Sequence, residues 1–417
     1  MKKNIVLNQW LWKWHFIAGL ISLPFVLLLS VTGFIYLFKE NYEVASQKHI
    51  RKVHISGEAV SYEQQLLIAT RSSKKKPNAM LLPTSDSQAT EFTSGKFGHK
   101  SSYFVNPYTS KITGSIMGHD TQMYAVRKLH GELLMGKPGT LMVELIGSWL
   151  VVLILTGLYV WWPAEGWRLS GFFLPRFNMG KRTMFRDLHA VTGFWISILL
   201  VTILAGGLPW TDVFGANLKW FQTVTNTGYP ATWENRSVKS EGTGSPFTVD
   251  QMVGTARRLN LPGQVEIEFP KDAEGVFSVS NTFYLDLTQQ KKIHFDQYTG
   301  KELVRHDWED VGIMMRGRMW FMAFHQGQLG SWNWWLMAIT AVALVLMSMS
   351  AMFSYLLRRR NGWAVPKVRS SFRVGYAIVV VLIMLAVIFP MFGISLLLIF
   401  LVENAHKYIQ GKGMPQS

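Results

Sequence analysis

"FMAFHQGQLGSWNWWLMAITAVALVLMSMSAMFSYLL" occupies residues 321–357. One histidine, His325, stands just ahead of a long apolar run, and that run decides the class of fold. A bilayer core about 30 Å thick needs roughly 20 helical residues, and the stretch 332–357 supplies them. Further stretches at 10–38, 141–162, 189–209 and 374–403 read the same way. Trp and Tyr gather at the ends of these runs ("SWNWWL", "LYVWWP"), where a membrane interface favours amphipathic rings.

Composition agrees. The 417 residues are 49% hydrophobic and only 16% charged, a balance that fits a membrane protein better than a large soluble enzyme. Cysteine is absent, which excludes disulfides, thiolate ligands, iron–sulfur clusters and covalent c-type haem attachment. The net charge of +16 would suggest nucleic acid in a soluble chain, but here much of the excess flanks the apolar runs. Nucleic acid is therefore not an expected partner; the lipid bilayer is. The first run follows Lys2 and Lys3, and no small-x-small cleavage site ends it, so it reads as an uncleaved anchor.

Short loops set the expected orientation. One carries Arg168, Arg176, Lys181, Arg182 and Arg186; another carries Arg358, Arg359, Arg360, Lys367, Arg369 and Arg373. Both loops, and the N-terminus, are expected in the cytoplasm. The architecture expected is a mainly α-helical membrane protein of about five spans, with two small α+β domains on the opposite side. The spans are placed at 10–38, 129–162 with its lead-in, 189–209, 324–357 with its lead-in, and 374–405, kinked at Pro390. A re-entrant hairpin is the alternative for the last. The external domains occupy 39–128 and 210–323, and the basic loops 163–188 and 358–373.

Each external segment reads as a polar helix followed by short alternating runs and a Tyr-Thr turn between two strands ("VNPYTSKI", "DQYTGKEL"). The chain is thus an internal repeat of span, helix-plus-strands domain, span. The histidines follow it. His15 in "HFIAG" matches His189 in "HAVTG", and His130 in "LHGELLMG" matches His325. Topology places His15 and His189 at the cytoplasmic ends of their spans, and His130 and His325 at the opposite ends.

Ionisable groups at membrane depth point to function. Neutral imidazole is the commonest metal ligand, and two imidazoles on facing helices can take both axial positions of a haem iron. Gly19 and Gly193, one turn beyond His15 and His189, suggest room for a flat ring; Gly131 and Gly327 flank the other pair. The competing reading makes all four histidines hydrogen-bonded interface anchors copied by duplication, and the pattern alone leaves both open. Glu132 reads as a partner to His130, a proton acceptor or an exposed charge. A methionine from "IMMRGRMWFMAFH" is a less natural axial ligand, and zinc less natural still. His49, His54, His99, His119, His294, His306 and His406 read as surface histidines.

In order along the chain, "WHFIAG", "LHGELLMG", "LTGLYVWWP", "LHAVTG", "VNPYTSKI" and "DQYTGKEL" resemble the PepSY-associated transmembrane family, over about residues 10–405. That family includes iron-regulated inner-membrane proteins and ferric-siderophore reductases. The resemblance implies periplasmic PepSY-like domains and a bundle holding two b-type haems through His15 with His189 and His130 with His325. It implies a bacterial inner-membrane oxidoreductase that reduces a ferric siderophore or another iron chelate for iron uptake. No flavin-reductase module is present, so electrons would come from quinol or a separate flavoprotein. At Ser110 the sequence departs from the Gly of the second-half "YTGK", which is expected to alter that turn. Two other readings remain: a non-enzymatic PepSY sensor or protease-inhibitory protein, and a transporter, for which Glu144 is the nearest intramembrane charge.

Overall fold

A computed structural model describes residues 4–95, 100–163, 169–358, 365–366, 368 and 374–412. His99, Arg168, Arg359, Arg360, Lys367, Arg369 and Arg373 lie outside the described residues. In chain order the helices are α1 (Ile5–Leu37), α2 (Lys39–Ser46), α3 (Lys48–Arg51), α4 (Tyr62–Ser72), α5 (Gln122–Glu132), α6 (Lys137–Trp161) and α7 (Lys181–Gly207). They continue as α8 (Val213–Val224), α9 (Val249–Arg258), α10 (Ile313–His325), α11 (Ser331–Arg358), α12 (Tyr376–Ile388) and α13 (Pro390–Lys412). The strands are β1 (Ala79–Leu81), β2 (Thr90–Ser94), β3 (Ser101–Asn106), β4 (Lys111–Met117), β5 (Gln264–Glu268), β6 (Val276–Thr282), β7 (Lys292–Asp296) and β8 (Glu302–His306).

The chain divides into two compact units. One comprises Met1–Phe34, Lys128–Lys219 and Trp335–Ser417; the other comprises Ile35–Arg127 and Trp220–Trp334. The first unit is helical. Four helices, Ile5–Leu37, Lys137–Trp161, Lys181–Trp210 and Ser331–Arg358, are long and apolar enough to cross a bilayer. Many of their large apolar side chains are exposed, among them Ile21, Leu155, Ile198 and Leu346, while small and polar residues recur among the buried ones. On α1 the buried stripe is Ala18, Ser22, Val26 and Ser30, one residue per turn. Without a hydrophobic drive between helices in lipid, such small residues let backbones approach and pack. At Gly147 of α6 a Cβ would lie 2.9 Å from a Leu208 methyl, so a side chain at this close crossing would force Leu208 to shift.

The segment expected as a single Pro-kinked fifth span is instead two helices. Pro390 cannot donate a backbone hydrogen bond, and α12 ends at Ile388, two residues before it. A Cβ on Gly393 would lie 3.1 Å from Ala386 Cβ. In a continuous helix residues that far apart are separated by about 10 Å, so the chain folds sharply back at this point. α13 then packs on α6, with Phe392 buried edge-on against Trp149, whose indole donates to Ser395 Oγ at 3.1 Å.

Glu144 is fully buried in α6, yet it is not an open ion site. Its two carboxylate oxygens accept the backbone N–H groups of Val213 and Phe214, each at 2.9 Å. Those donors begin α8 and would otherwise be orphaned, and the helix dipole favours an anion there.

The second unit corrects the picture of two separate α+β domains. Both long connections contribute four strands to one antiparallel sheet, ordered β4-β3-β2-β1-β5-β6-β7-β8. The halves join through β1 and β5, with Met80 opposite Ile267. Each would be an exposed edge strand alone, and pairing satisfies its backbone groups. A single core results, in which Met80, Phe92, Val105, Met252, Ile267, Val279 and Ile293 are all buried. The helices α4 and α9 also cap one another. Asp250 accepts from the N–H groups of Tyr62 and Glu63 at 2.8 and 3.0 Å, and Glu63 accepts from Val249 N at 3.0 Å.

The two Tyr-Thr turns share one geometry. Asn106 Oδ1 accepts from the N–H groups of Tyr108 and Thr109, and Asp296 Oδ1 from those of Tyr298 and Thr299. Ser110 does not alter its turn: it adopts φ 55°, beside φ 66° at Gly300. Glycine is required only in the second half, where a Cβ would meet the Phe247 ring at 2.7 Å. Accordingly, Ser110→Gly should stabilise the protein by up to about 1 kcal/mol, because a non-glycine residue is strained at positive φ. Gly300→Ala should cost about 1–3 kcal/mol through overpacking. Denaturant unfolding of both variants distinguishes the two turns.

Candidate functional site: the intramembrane histidines

His15 on α1 and His189 on α7 come together in the helical unit. Their ring centroids are 6.3 Å apart, with planes at 70°. Each ring is held from behind. His189 Nδ1 lies 3.1 Å from the Met347 carbonyl oxygen of α11. A carbonyl only accepts, so Nδ1 carries the proton and the lone pair lies on Nε2. His15 Nδ1 lies 3.0 Å from Thr156 Oγ1 of α6. That hydroxyl already donates to Val152 O at 2.8 Å, so it accepts from His15 and fixes the same tautomer. Trp12 stacks parallel to His15 at 6.3 Å.

A second station follows the same rule. Thr32 Oγ1, near the far end of α1, donates to Leu28 O at 2.8 Å and accepts from His130 Nδ1 at 3.0 Å. Thr32 lies about 25 Å further along α1 than His15, by helical rise. The arrangement is reciprocal: α6 offers Thr156 to a histidine of α1, and α1 offers Thr32 to His130, just ahead of α6.

The glycines that make room are not those singled out from the sequence. A Cβ on Gly157 would lie 3.0 Å from His15 Cε1, and one on Gly33 would lie 3.2 Å from His130 Cε1. Gly19 and Gly193 face Leu153 and Met347 instead, and Gly131 has nothing within 4 Å. The working unit is therefore a Thr-Gly doublet, with threonine holding the ring nitrogen and glycine admitting the ring. It was legible as "VTGF" at 31–34 and "LTGL" at 155–158, runs that a search centred on histidine passes over.

His325 ends α10 in the sheet-bearing unit, whereas His130 belongs to the helical unit. The turn after His325 is fixed locally. Gly327 has φ 71°, and buried Asn333 donates to Phe324 O at 3.1 Å and accepts from Leu329 N at 3.0 Å. Glu132 forms an ion pair with Lys128. Two of the four methionines of α10 already accept hydrogen bonds, Met315 from Gln222 Nε2 and Met319 from the Tyr229 hydroxyl. Among the described residues no three His, Asp or Glu side chains gather as a metal cluster.

The family can now be stated, because the repeat, the spans and the matched histidines are in place. The chain belongs to the PepSY-associated TM region family. The family model matches residues 12–359, which include all four histidines and the whole eight-stranded sheet. No curated protein matches the chain.

Two histidines read as surface residues are buried. His294 on β7 and His306 on β8 pack edge-on with centroids 6.0 Å apart, beneath Trp233. His294 Nδ1 lies 2.8 Å from Ser278 Oγ, and the Thr232 backbone carbonyl also lies close to the ring. Burial, with Lys292 nearby, lowers the His294 pKa to about 4.

Gly157→Ala and Gly33→Ala should each displace a histidine ring and cost about 1–3 kcal/mol, while Gly19→Ala should stay within about 0.5 kcal/mol. Thermal unfolding in detergent measures the contrast. For His294, the unfolded chain binds its proton below about pH 6.5 and the folded chain only below about 4. Its contribution to stability should be complete above pH 6.5, fall between 6.5 and 4, and level off below. His294→Gln should flatten that slope in amide exchange of β7.

Proposed function

We propose that this membrane protein carries electrons across the bilayer through two b-type haems and reduces ferric iron in a chelate. The observation that carries the reading is the inner imidazole pair, held Nδ1–H inward with both Nε2 lone pairs available to a metal. The His15 and His189 ring centroids are 6.3 Å apart, a separation at which both rings would be within reach of one metal ion. A haem held by two histidines stores and releases one electron at its iron.

The protein's own groups then have defined tasks. His15 and His189 would hold one haem, and the family resemblance assigns His130 and His325 to the other. Thr156, Met347 O and Thr32 lock the tautomers, the outer-shell role that metal-bound histidines require. Apolar α1, α6, α7 and α11 keep water from the His15 level. In this reading the basic loops lie in the cytoplasm of a bacterial cell, with His15 and His189 towards the cytoplasmic face of the inner membrane and the sheet in the periplasm. Oxidation of one quinol to quinone, with release of two protons, or of one reduced flavin on a separate flavoprotein, would supply two electrons and reduce two ferric ions to ferrous iron. A hard-oxygen chelator such as a siderophore holds ferrous iron less tightly, which favours its release for uptake. The engaged carboxylate of Glu144 removes the main support for a transporter.

A reduced-minus-oxidised visible spectrum of full-length protein from haem-replete cells tests this. A b-type signal is expected. His15→Ala or His189→Ala should remove about half of it, and His130→Ala or His325→Ala the other half. Thr156→Val should keep the fold and weaken haem retention at the His15 station about 10–100-fold. A spectrum without haem would overturn the proposal.

A further inference from the structure

The two halves of the sheet provide an internal comparison, and one difference between them opens a space. In the second half, Gln297 follows Asp296 in the Tyr-Thr turn. Its carboxamide Nε2 donates to the carbonyl oxygens of Asp272, Ala273 and Gly275, at 2.9, 2.8 and 2.8 Å. In the first half Pro107 holds the Gln297 position and has no such donor. The remaining framework is conserved between the halves. Tyr108 donates to Asp86 O as Tyr298 donates to Ala273 O. Val60 N donates to Pro107 O as Phe247 N donates to Gln297 O.

Where the second half is filled, the first half is open. A cleft of about 520 Å³ lies among Gln65, Ser85, Asp86, Gln88, Pro107 and Tyr108. Its lining includes one side chain whose hydrogen bonding is incomplete. Gln65 is 1% exposed, its Nε2 donates to Val60 O at 2.8 Å, and its Oε1 has no partner. The second half carries apolar Met252 at the corresponding turn of α9. A buried amide oxygen without a donor costs about 1–3 kcal/mol, so the first half leaves a donor to be supplied from outside. The lining carries two carboxylates, Asp86 and Asp250, against one cation, Arg257, whose guanidinium donates to the Tyr62 hydroxyl at 2.9 Å, so its net charge disfavours an anion.

We propose that this cleft binds a primary carboxamide of a peptide-like ligand, which supplies the N–H donors that Gln297 provides in the second half. The NH₂ group donates to Gln65 Oε1 and to the carbonyls of the Ser85–Gln88 loop, while Tyr62 and Tyr108 border the cleft. This site stands on the sheet-bearing unit alone and does not depend on haem.

The experiment uses full-length protein in detergent and N-acetyl-glutaminamide as probe, followed by saturation-transfer NMR. Binding in the millimolar range is expected, with N-acetyl-glutamate at least tenfold weaker. Pro107→Gln, which should fill the cleft as Gln297 does, is expected to weaken probe binding at least tenfold and to raise the unfolding temperature. Gln65→Met should weaken binding without unfolding the sheet, as read from amide exchange of β2 and β3. Absence of probe binding to the wild type, or equal binding to Pro107→Gln, would overturn the site.

Discussion

A hydrogen bond from an imidazole Nδ1–H to an oxygen on a neighbouring helix is the constraint around which the helical unit is organised. A polar ring at membrane depth is costly unless its N–H is satisfied. Three histidines meet that demand in one way, at Thr156 Oγ1, Met347 O and Thr32 Oγ1. Each bond ties two helices, and each leaves the ring's lone pair on Nε2. The same contact therefore stabilises the bundle and leaves a lone pair that a metal could take. A histidine serving only as an anchor would need its hydrogen bond but not the close approach of a second ring; His15 and His189 have both.

The sheet-bearing unit obeys a different constraint. Each half presents a three- or five-residue edge strand, and an unpaired edge invites association. The pairing of β1 with β5 removes both edges and merges two small cores into one. The crossed capping by Asp250 and Glu63 makes the two α-helices interdependent as well. Duplication has thus produced one cooperative layer rather than two modules. It also allowed the halves to diverge locally, as at Pro107 and Gln297.

Much of this was legible in the sequence. Apolar runs of bilayer length located the four long helices, because hydropathy at that length has few other meanings. Period-two runs and the Tyr-Thr turns located the strands, and the repeat matched the histidines. The β1–β5 pairing was hidden because two edge strands carry no mark of their partner. The Thr-Gly doublets were hidden because a threonine donating to its own helix looks like any other intramembrane threonine until a ring is seen against it. His294 and His306 looked like surface residues, since alternation along a strand does not show that a later segment bearing Trp233 covers that face. Pro390 marked a break correctly but could not tell a kink from a reversal; the close approach of Gly393 to Ala386 does.

The central claim is that four histidines act as two axial pairs. Low-temperature electron paramagnetic resonance of the oxidised full-length protein, with haem counted per chain, tests it most directly. Two haems per chain, both low-spin ferric as two imidazole ligands require, are predicted. One haem per chain, a high-spin signal from an iron with a single protein ligand, or no haem would contradict it.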